Sequence, residues 1–206
     1  MKLGIISDIH SKPEPLKQAI KLFEKKQVDR IYNLGDTAGY FDQLDECVQI
    51  LKSEDISSII GNHDLWYLAL PKTEQTDWIT EYFRSLENQI TLSDGSQRLL
   101  MVHEAPSEMD KKGFKLLDQN NQLIESELKK WEIQLTNFDY DILLVGHSHQ
   151  VFSERIAKTL VINPGSSIFN NSVAILNING LEVDFLPLSD GGISRTWNWS
   201  LVRSLR

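Results

Sequence analysis

Five histidines stand in this 206-residue chain, His10, His63, His103, His147 and His149, each at the end of an apolar run and close to a Gly, Asn, Asp or Glu. Histidines used as core or surface filler would be scattered over helix faces and loops. Asp8, Asp36 and Asn62 share the same placement. Imidazole nitrogens combined with carboxylate and amide oxygens form a hard, mixed ligand set suited to Mn, Fe, Co, Ni or Zn. Asp8, His10, Asp36, Asn62, His103, His147 and His149 are enough side chains for two ions rather than one. Two divalent ions ~3.5–4 Å apart form the clamp that stabilises in-line phosphoryl transfer.

The spacing within each motif supports that chemistry. In Asp8-Ile9-His10 an extended backbone is expected to turn residues i and i+2 to the same side, so both reach one ion while Ile9 enters the core. Gly146-His147-Ser148-His149 repeats the pattern with two imidazoles. Gly35-Asp36 sets a carboxylate after a strand, with Gly permitting a tight turn, and its two oxygens make Asp36 the natural shared ligand. In Gly61-Asn62-His63-Asp64 the Asn62 carbonyl oxygen is a neutral ligand, and the next residue, extended, would point elsewhere. That leaves His63 for the substrate. The alternative is an Asn-cap turn before a helix over Leu65 to Leu70, with Asp64 favouring its N-terminus. His103, within Val102-His103-Glu104-Ala105-Pro106, reads as structural on its own. Each short motif alone also has a plain reading as a turn or strand end.

The elements that must position these residues follow from apolar periodicity. Residues 2–7 read as a buried strand ending at Asp8, Val28 to Leu34 as a second ending at Gly35-Asp36, and Ile56 to Ile60 as a third ending at Gly61-Asn62. Leu16, Ile20, Leu22 and Phe23 follow Pro13 and Pro15 at helical spacing, and Leu44 to Leu51 reads as a helix. This rhythm predicts crossover units and a largely parallel sheet. Polar residues just after the strands suit ligand sites, which in open α/β sheets lie outside the carboxyl ends. Trp78, Ile79, Tyr82, Phe83 and Leu86 form a helical stripe. Ile90 to Leu92 and Arg98 to Val102 flank a hairpin turn at Ser93-Asp94-Gly95-Ser96, and the second strand delivers His103. A polar helix around Leu123 to Leu135 precedes the strand Ile142 to Val145. The last third is β-rich, with strands at Leu160 to Ile162, Val173 to Ile178 and Leu181 to Leu186, the last two joined at Asn179-Gly180.

Composition narrows the partners. A net charge of -8 argues against a nucleic-acid polymer, whose binders set Lys and Arg against the phosphates. It does not argue against a small phosphorylated substrate, because bound cations would supply the missing positive field. One cysteine, Cys47, excludes an intrachain disulfide or a Cys-based zinc site. The opening MKLGIISD is too short an apolar run for a signal region, and no stretch approaches a membrane span. A cytoplasmic protein is the expectation.

In order along the chain, Asp8-x-His10, Gly35-Asp36, Gly61-Asn62-His63-Asp64, Val102-His103 and Gly146-His147-x-His149 resemble the motifs of the calcineurin-like metallophosphoesterase family. Asn163-Pro164-Gly165-Ser166 is similar to a further segment of its small prokaryotic members. The resemblance implies an α/β fold, a two-sheet sandwich flanked by helices, with a dinuclear metal site at strand carboxyl ends. The length fits a single domain over residues 1–206; 65–98 is longer than in compact relatives and is a candidate helical insertion, and 188–206 is expected to dock on the domain as a tail. Asp8, His10, Asp36 and His149 would hold one ion. Asp36, Asn62, His103 and His147 would hold the other, Mn coming first among Mn, Fe, Ni, Co and Zn. His63 would be the substrate-facing acid, and Asp64 would orient it or cap the helix.

Departures from that family bear on substrate preference. Ser11-Lys12 replaces the usual Gly-Asn, so Lys12 is a candidate phosphate contact or a solvated surface residue. Glu104 replaces a common Gly and would repel an anion unless it points away or pairs with Lys12 or Arg155. The aromatics Trp66, Tyr67, Trp78, Tyr82 and Phe83 are expected to pack as core; a lid or a homo-oligomer contact is the alternative. Trp197 and Trp199 pose the same question. The expected activity is phosphodiester hydrolysis on a small or nucleotide-type substrate. A protein serine/threonine phosphatase is a rival, although its family extends the second motif to GDYVDRG where this chain reads GDTAGYF. A noncatalytic scaffold of the same fold, as in retromer, is the other rival, disfavoured because His63 and every ligand are kept.

Overall fold

In strand β1 (Lys2–Ile6) Leu3, Ile5 and Ile6 are all fully buried although successive residues face opposite ways. Such a strand needs a covering layer on each side. Leu3 and Ile5 meet Leu99, Met101, Ile142 and Leu144 of a second sheet, and Ile6 meets Leu16, Ala19 and Phe23 of a helix. The chain is described by a computed structural model at residues 1–95, 97–106, 109 and 112–197. Ser96 of the expected turn, and Trp199 with the rest of 198–206 in the expected tail, lie outside the described residues.

The first sheet has the order β10-β9-β1-β2-β3, from β2 (Arg30–Asn33), β3 (Ser57–Ser58), β9 (Ser172–Asn177) and β10 (Glu182–Pro187). The second has the order β4-β5-β6-β8-β7, from β4 (Gln89–Asp94), β5 (Gln97–Val102), β6 (Ile142–Leu144), β7 (Val151–Ile156) and β8 (Thr159–Pro164). Helices α1 (Pro13–Lys25) and α2 (Leu44–Ser53) cover the outer face of the first sheet, through Phe23, Cys47 and Leu51. Helix α5 (Glu125–Leu135) covers the second sheet through Trp131 and Leu135. The α/β sandwich flanked by helices is therefore present.

Both sheets are mixed, where a largely parallel one was expected. The crossovers do make β1, β2 and β3 parallel, but β9 and β10 add antiparallel strands, and β4 and β7 do the same on the second sheet. Strand β7 carries no sequence signal because Ser153, Glu154 and Arg155 interrupt its apolar residues. Helix α3 (Asn62–Leu68) starts three residues earlier than expected, followed by a 3₁₀ turn (Lys72–Glu74) and α4 (Asp77–Ser85).

Register brings the loops together. Ile6 pairs with Asn33, so the loops bearing Asp8 and Asp36 leave one edge side by side. Met101 pairs with Leu144 in the other sheet, which sets His103 beside His147. Among the described residues no helix is long and apolar enough to cross a membrane.

Candidate metal centre

The loops after β1, β2 and β6 carry their polar residues in left-handed backbone: Asp8, His10 and Asp36 have φ of 54, 50 and 55°, and His147 and His149 have 64 and 50°. This corrects the extended-backbone expectation for Asp8-x-His10 and His147-x-His149. The side chains converge through turns that non-glycine residues enter at a cost of about 1–3 kcal/mol each. Hydrogen bonds hold them there. Asp8 N donates to the Gly35 carbonyl and His10 N to the Asp36 carbonyl, both at 3.0 Å, and Ser11 N donates to Thr37. The approach is tight enough to require glycine at Gly61, where a β-carbon would lie 2.2 Å from Asp36 N.

One cluster joins Asp8, His10 and His149. His10 Nδ1 lies 3.2 Å from the Ala38 carbonyl, which can only accept, so this nitrogen carries the proton and Nε2 offers a lone pair. That lone pair faces His149 Nε2 at 3.0 Å, and His149 Nε2 is 3.2 Å from Asp8 Oδ1. Asp8 Oδ1 is buried without a hydrogen bond, while Oδ2 accepts from Ser7 Oγ at 2.6 Å and His147 N at 3.1 Å. Burial would raise the Asp8 pKa, but His149 foremost holds it below the usual carboxylate range. Burial depresses His10 to about 3. A neutral imidazole beside an anionic oxygen is the state a cation requires of its ligands.

The second cluster joins Asp36, His103 and His147, with Asn62 between them. His103 Nδ1 bonds the Leu34 carbonyl at 2.7 Å, turning Nε2 toward Asn62 Oδ1 at 3.1 Å and Asp36 Oδ2 at 3.3 Å. His147 Nδ1 approaches Asn62 Oδ1 at 2.8 Å. Burial opposes a charge on His103, yet Asp36 outweighs it and lifts the pKa to about 10; reciprocally, Asp36 is held low despite its burial. Burial, then His103, depress His147 to about 4. In both clusters donor atoms meet that need a proton or a cation among them, and the donor set fits a divalent metal.

Asp36 and His10 also group with His63. Asn62 and His63 are the first two residues of α3, not an extended segment as expected, and His63 N donates to Asp36 Oδ1 at 2.8 Å. The His63 ring lies half-buried beside His10, Tyr40 and Trp66, with centroids 4.8, 4.8 and 4.4 Å away, and burial lowers its pKa. Asp64 is fully buried. Its carboxylate accepts from the backbone N–H groups of Gly61 at 2.9 Å, Asp36 at 3.0 Å and Ala38 at 2.8 Å. Burial and Asp36 push its pKa up to about 7, against the pull of those N–H donors. Asp64 thus spends its oxygens on the N-terminus of α3 and the Asp36 loop.

Several contributors lie outside the ligand motifs. Ser7 holds Asp8 Oδ2. Ser166 Oγ donates to the Asp8 carbonyl at 2.7 Å, and Asn163 Nδ2 donates to the Gly146 carbonyl at 2.8 Å, which gives the Asn163-Pro164-Gly165-Ser166 segment its place. The Phe169 ring stacks on His149 at 5.2 Å, and Trp197 stacks on Phe169 at 5.0 Å. Residues 194 and 195 hydrogen-bond Asn170 and Val151 on the way to Trp197. Lys12 pairs with Glu14 and Gln43, and Arg155 donates to the Lys158 carbonyl, so both cations spend their charge on local contacts. Phe83 is buried and Tyr67, Trp78 and Tyr82 pack around it, but Trp66 is 61% exposed, against the expectation of a core residue.

The family model for the calcineurin-like phosphoesterase superfamily domain matches residues 1–180. The chain is similar to the uncharacterized protein MJ0912 of Methanocaldococcus jannaschii, with 28% identity over 171 residues covering 79% of this chain and 68% of that protein. It is also similar to the phosphodiesterase MJ0936 of that organism, at 24% identity over 80% of this chain and 83% of that protein. Its fold resembles a metallophosphoesterase from Sphaerobacter thermophilus, with a TM-score of 0.68 at 22% identity over 92% of this chain and 89% of that one.

Proposed function

The chain belongs to the calcineurin-like phosphoesterase superfamily, and on that premise we propose that it hydrolyses phosphodiesters of small, nucleotide-type substrates with two divalent cations. The observation that carries this reading is the place of Asp36 between the clusters. Its Oδ2 faces His103, and it groups with His10 and His63 on the other side. One carboxylate with partners on both sides suits a shared ligand.

Asp8, His10, Asp36 and His149 would hold one cation, and Asp36, Asn62, His103 and His147 the other. Bound there, the pair supplies an activated water at neutral pH and neutralises phosphoryl oxygens. The protein's own groups do the rest. The Ala38 and Leu34 carbonyls aim His10 Nε2 and His103 Nε2 inward. His63, half-buried beside His10, is the group set to give its proton, as the imidazolium, to the leaving oxygen. Manganese is the first metal to test, and the neighbour named a phosphodiesterase favours a diester over a monoester.

The test compares bis-p-nitrophenyl phosphate, p-nitrophenyl phosphate and a phosphopeptide, each with chelated protein and with added Mn, Co, Ni or Zn. Metal-dependent turnover highest on the diester is the expected result. Preference for the phosphopeptide would assign the protein-phosphatase rival, and no turnover with any metal would leave the scaffold rival.

A further inference from the structure

Six large hydrophobic side chains are exposed among the described residues, and four of them, Phe41, Leu65, Trp66 and Leu70, lie around the candidate centre. Three of these, Phe41, Trp66 and Leu70, line one cleft of about 330 Å³ together with Tyr67, His63 and Asp42. His63, Trp66 and Leu70 follow one another at i+3 and i+4 spacing, so α3 and the residue just past its C-cap present them as one stripe. The indole of Trp66 meets the His63 ring at 4.4 Å. The cleft wall is anchored from behind: Tyr67 packs on Phe83 at 5.5 Å, and its hydroxyl accepts from Thr76 N at 2.6 Å. Phe41 is fixed across the mouth by Lys12, whose Nζ lies 5.8 Å from the ring centroid, and by Phe169 at 6.4 Å.

The charge of the cleft decides which part of a substrate it suits. Among its lining groups Asp42 is the one carboxylate and no Lys or Arg is present, beside His63 and the Tyr67 phenol, and the chain carries -8. A phosphate would meet repulsion from Asp42 here, and the proposed cations would stand on the other side of His63. The surface on offer is aromatic, with one carboxylate able to accept hydrogen bonds from N–H donors. A volume of about 330 Å³ is at the lower end of ligand pockets, room for one ring system rather than a polymer. We propose that this cleft, bounded by Phe41 and Trp66, is the subsite for an uncharged heteroaromatic ring of the nucleobase type on the leaving side of the ester. This rests on the phosphodiesterase reading for the word "leaving" alone; the ring-binding cleft stands independently of it.

The experiment therefore reads binding as well as turnover. Adenosine and, as comparator, ribose are titrated calorimetrically into the full chain with Mn, and both are tried as inhibitors of bis-p-nitrophenyl phosphate hydrolysis. Adenosine should bind at least tenfold more tightly than ribose. Trp66→Ala should weaken adenosine tenfold or more, and Trp66→Phe should restore it to within threefold. Ile133→Ala, on the exposed face of α5, should change nothing. Adenosine binding no better than ribose, or unaltered by Trp66→Ala, overturns the proposal even if the enzyme turns over. A dimer that Trp66→Ala dissociates would assign the stripe to contact between copies and equally overturns it. Trp66-dependent adenosine binding without turnover on any diester would keep the subsite and remove the phosphodiesterase reading.

Discussion

His10 Nε2 and His149 Nε2 face one another at 3.0 Å, although 139 residues separate them in the chain. The Ala38 carbonyl fixes the His10 proton on the other nitrogen, and Asp8 Oδ1 stands 3.2 Å from His149 Nε2. The fold has therefore brought donor atoms together at a buried point where a proton or a cation must lie among them, and a cation there would be held by all three side chains. Binding and folding are then linked.

Divalent metal should raise the thermal midpoint of chelated protein. A ligand at a hundredfold excess over its Kd adds about 2.7 kcal/mol to the folded state. For a chain of this size that corresponds to a rise of roughly 5–10 °C. Differential scanning calorimetry with and without Mn, Co, Ni or Zn measures it. A midpoint indifferent to all four would argue that no such site exists.

Asp36→Ala removes the carboxylate that groups with His103 and His147 on one side and with His10 and His63 on the other, and the acceptor of the His63 amide. Metal content should fall from two equivalents toward none. Turnover should drop by ~10³-fold or more, on the scale of losing a preorganised charge at a reacting centre. Elemental analysis that still finds two equivalents in the purified variant contradicts the shared-ligand role.

His63→Ala should behave differently. The expected variant keeps its metal and loses ~10²–10⁴ in kcat on diesters with a poor leaving group, the range of general acid catalysis. The loss should shrink with p-nitrophenolate, which departs without a proton. Since His63 also groups with His10 and Asp36, a variant that loses metal would make it a ligand instead.

How far these positions were legible in the sequence depends on what each asks of the chain. The residue types and their placement after apolar runs marked Asp8, Asp36 and His147, because a strand end is a local feature, whereas His103 read as structural on its own and stood out only with the others. The left-handed turns at Asp8, His10, Asp36, His147 and His149 were not legible, because such turns depend on tertiary partners: the Gly35 and Asp36 carbonyls for Asp8 and His10, the Asp64 carboxylate for Asp36 and the Asp8 carboxylate for His147. Trp66 misled for a related reason. Helical spacing identifies a stripe but not which of its members faces protein, and α3 turns Tyr67 and Leu68 inward while Trp66 stays out. Ser7 and Phe169 are ordinary residues until tertiary structure sets them against Asp8 and His149.

Cys47 should be inert in the folded protein. Carried on α2, it is fully buried against α1 and the first sheet, and burial pushes its thiol from 9.0 up to about 12. The folded state thus holds its proton where the unfolded state would release it. The associated stability is complete below about pH 9 and is lost as pH rises toward 12. At pH 8 a thiol-disulfide reagent should find no reactive thiol in native protein and one per chain in denaturant. Rapid labelling of the native state would show that the layer formed by α1 and α2 opens readily.

Ser7→Ala tests whether a residue that touches no candidate cation still governs the site. The Ser7 hydroxyl donates to Asp8 Oδ2 at 2.6 Å, and the His147 amide donates to the same oxygen at 3.1 Å. Together they hold the carboxylate so that Oδ1 turns toward His149. The hydroxyl also packs closely against Gly146, where a β-carbon would come within 2.1 Å of Ser7 Oγ. Alanine keeps the strand and removes only the hydroxyl. Fold stability should fall by about 1 kcal/mol, the worth of one hydrogen bond. Metal affinity should fall more, by ~10–100-fold, because outer partners of a ligand act through its orientation. Titration against a competing chelator separates the two effects. An unchanged affinity with the expected small loss of stability would mean that the His147 amide alone orients Asp8.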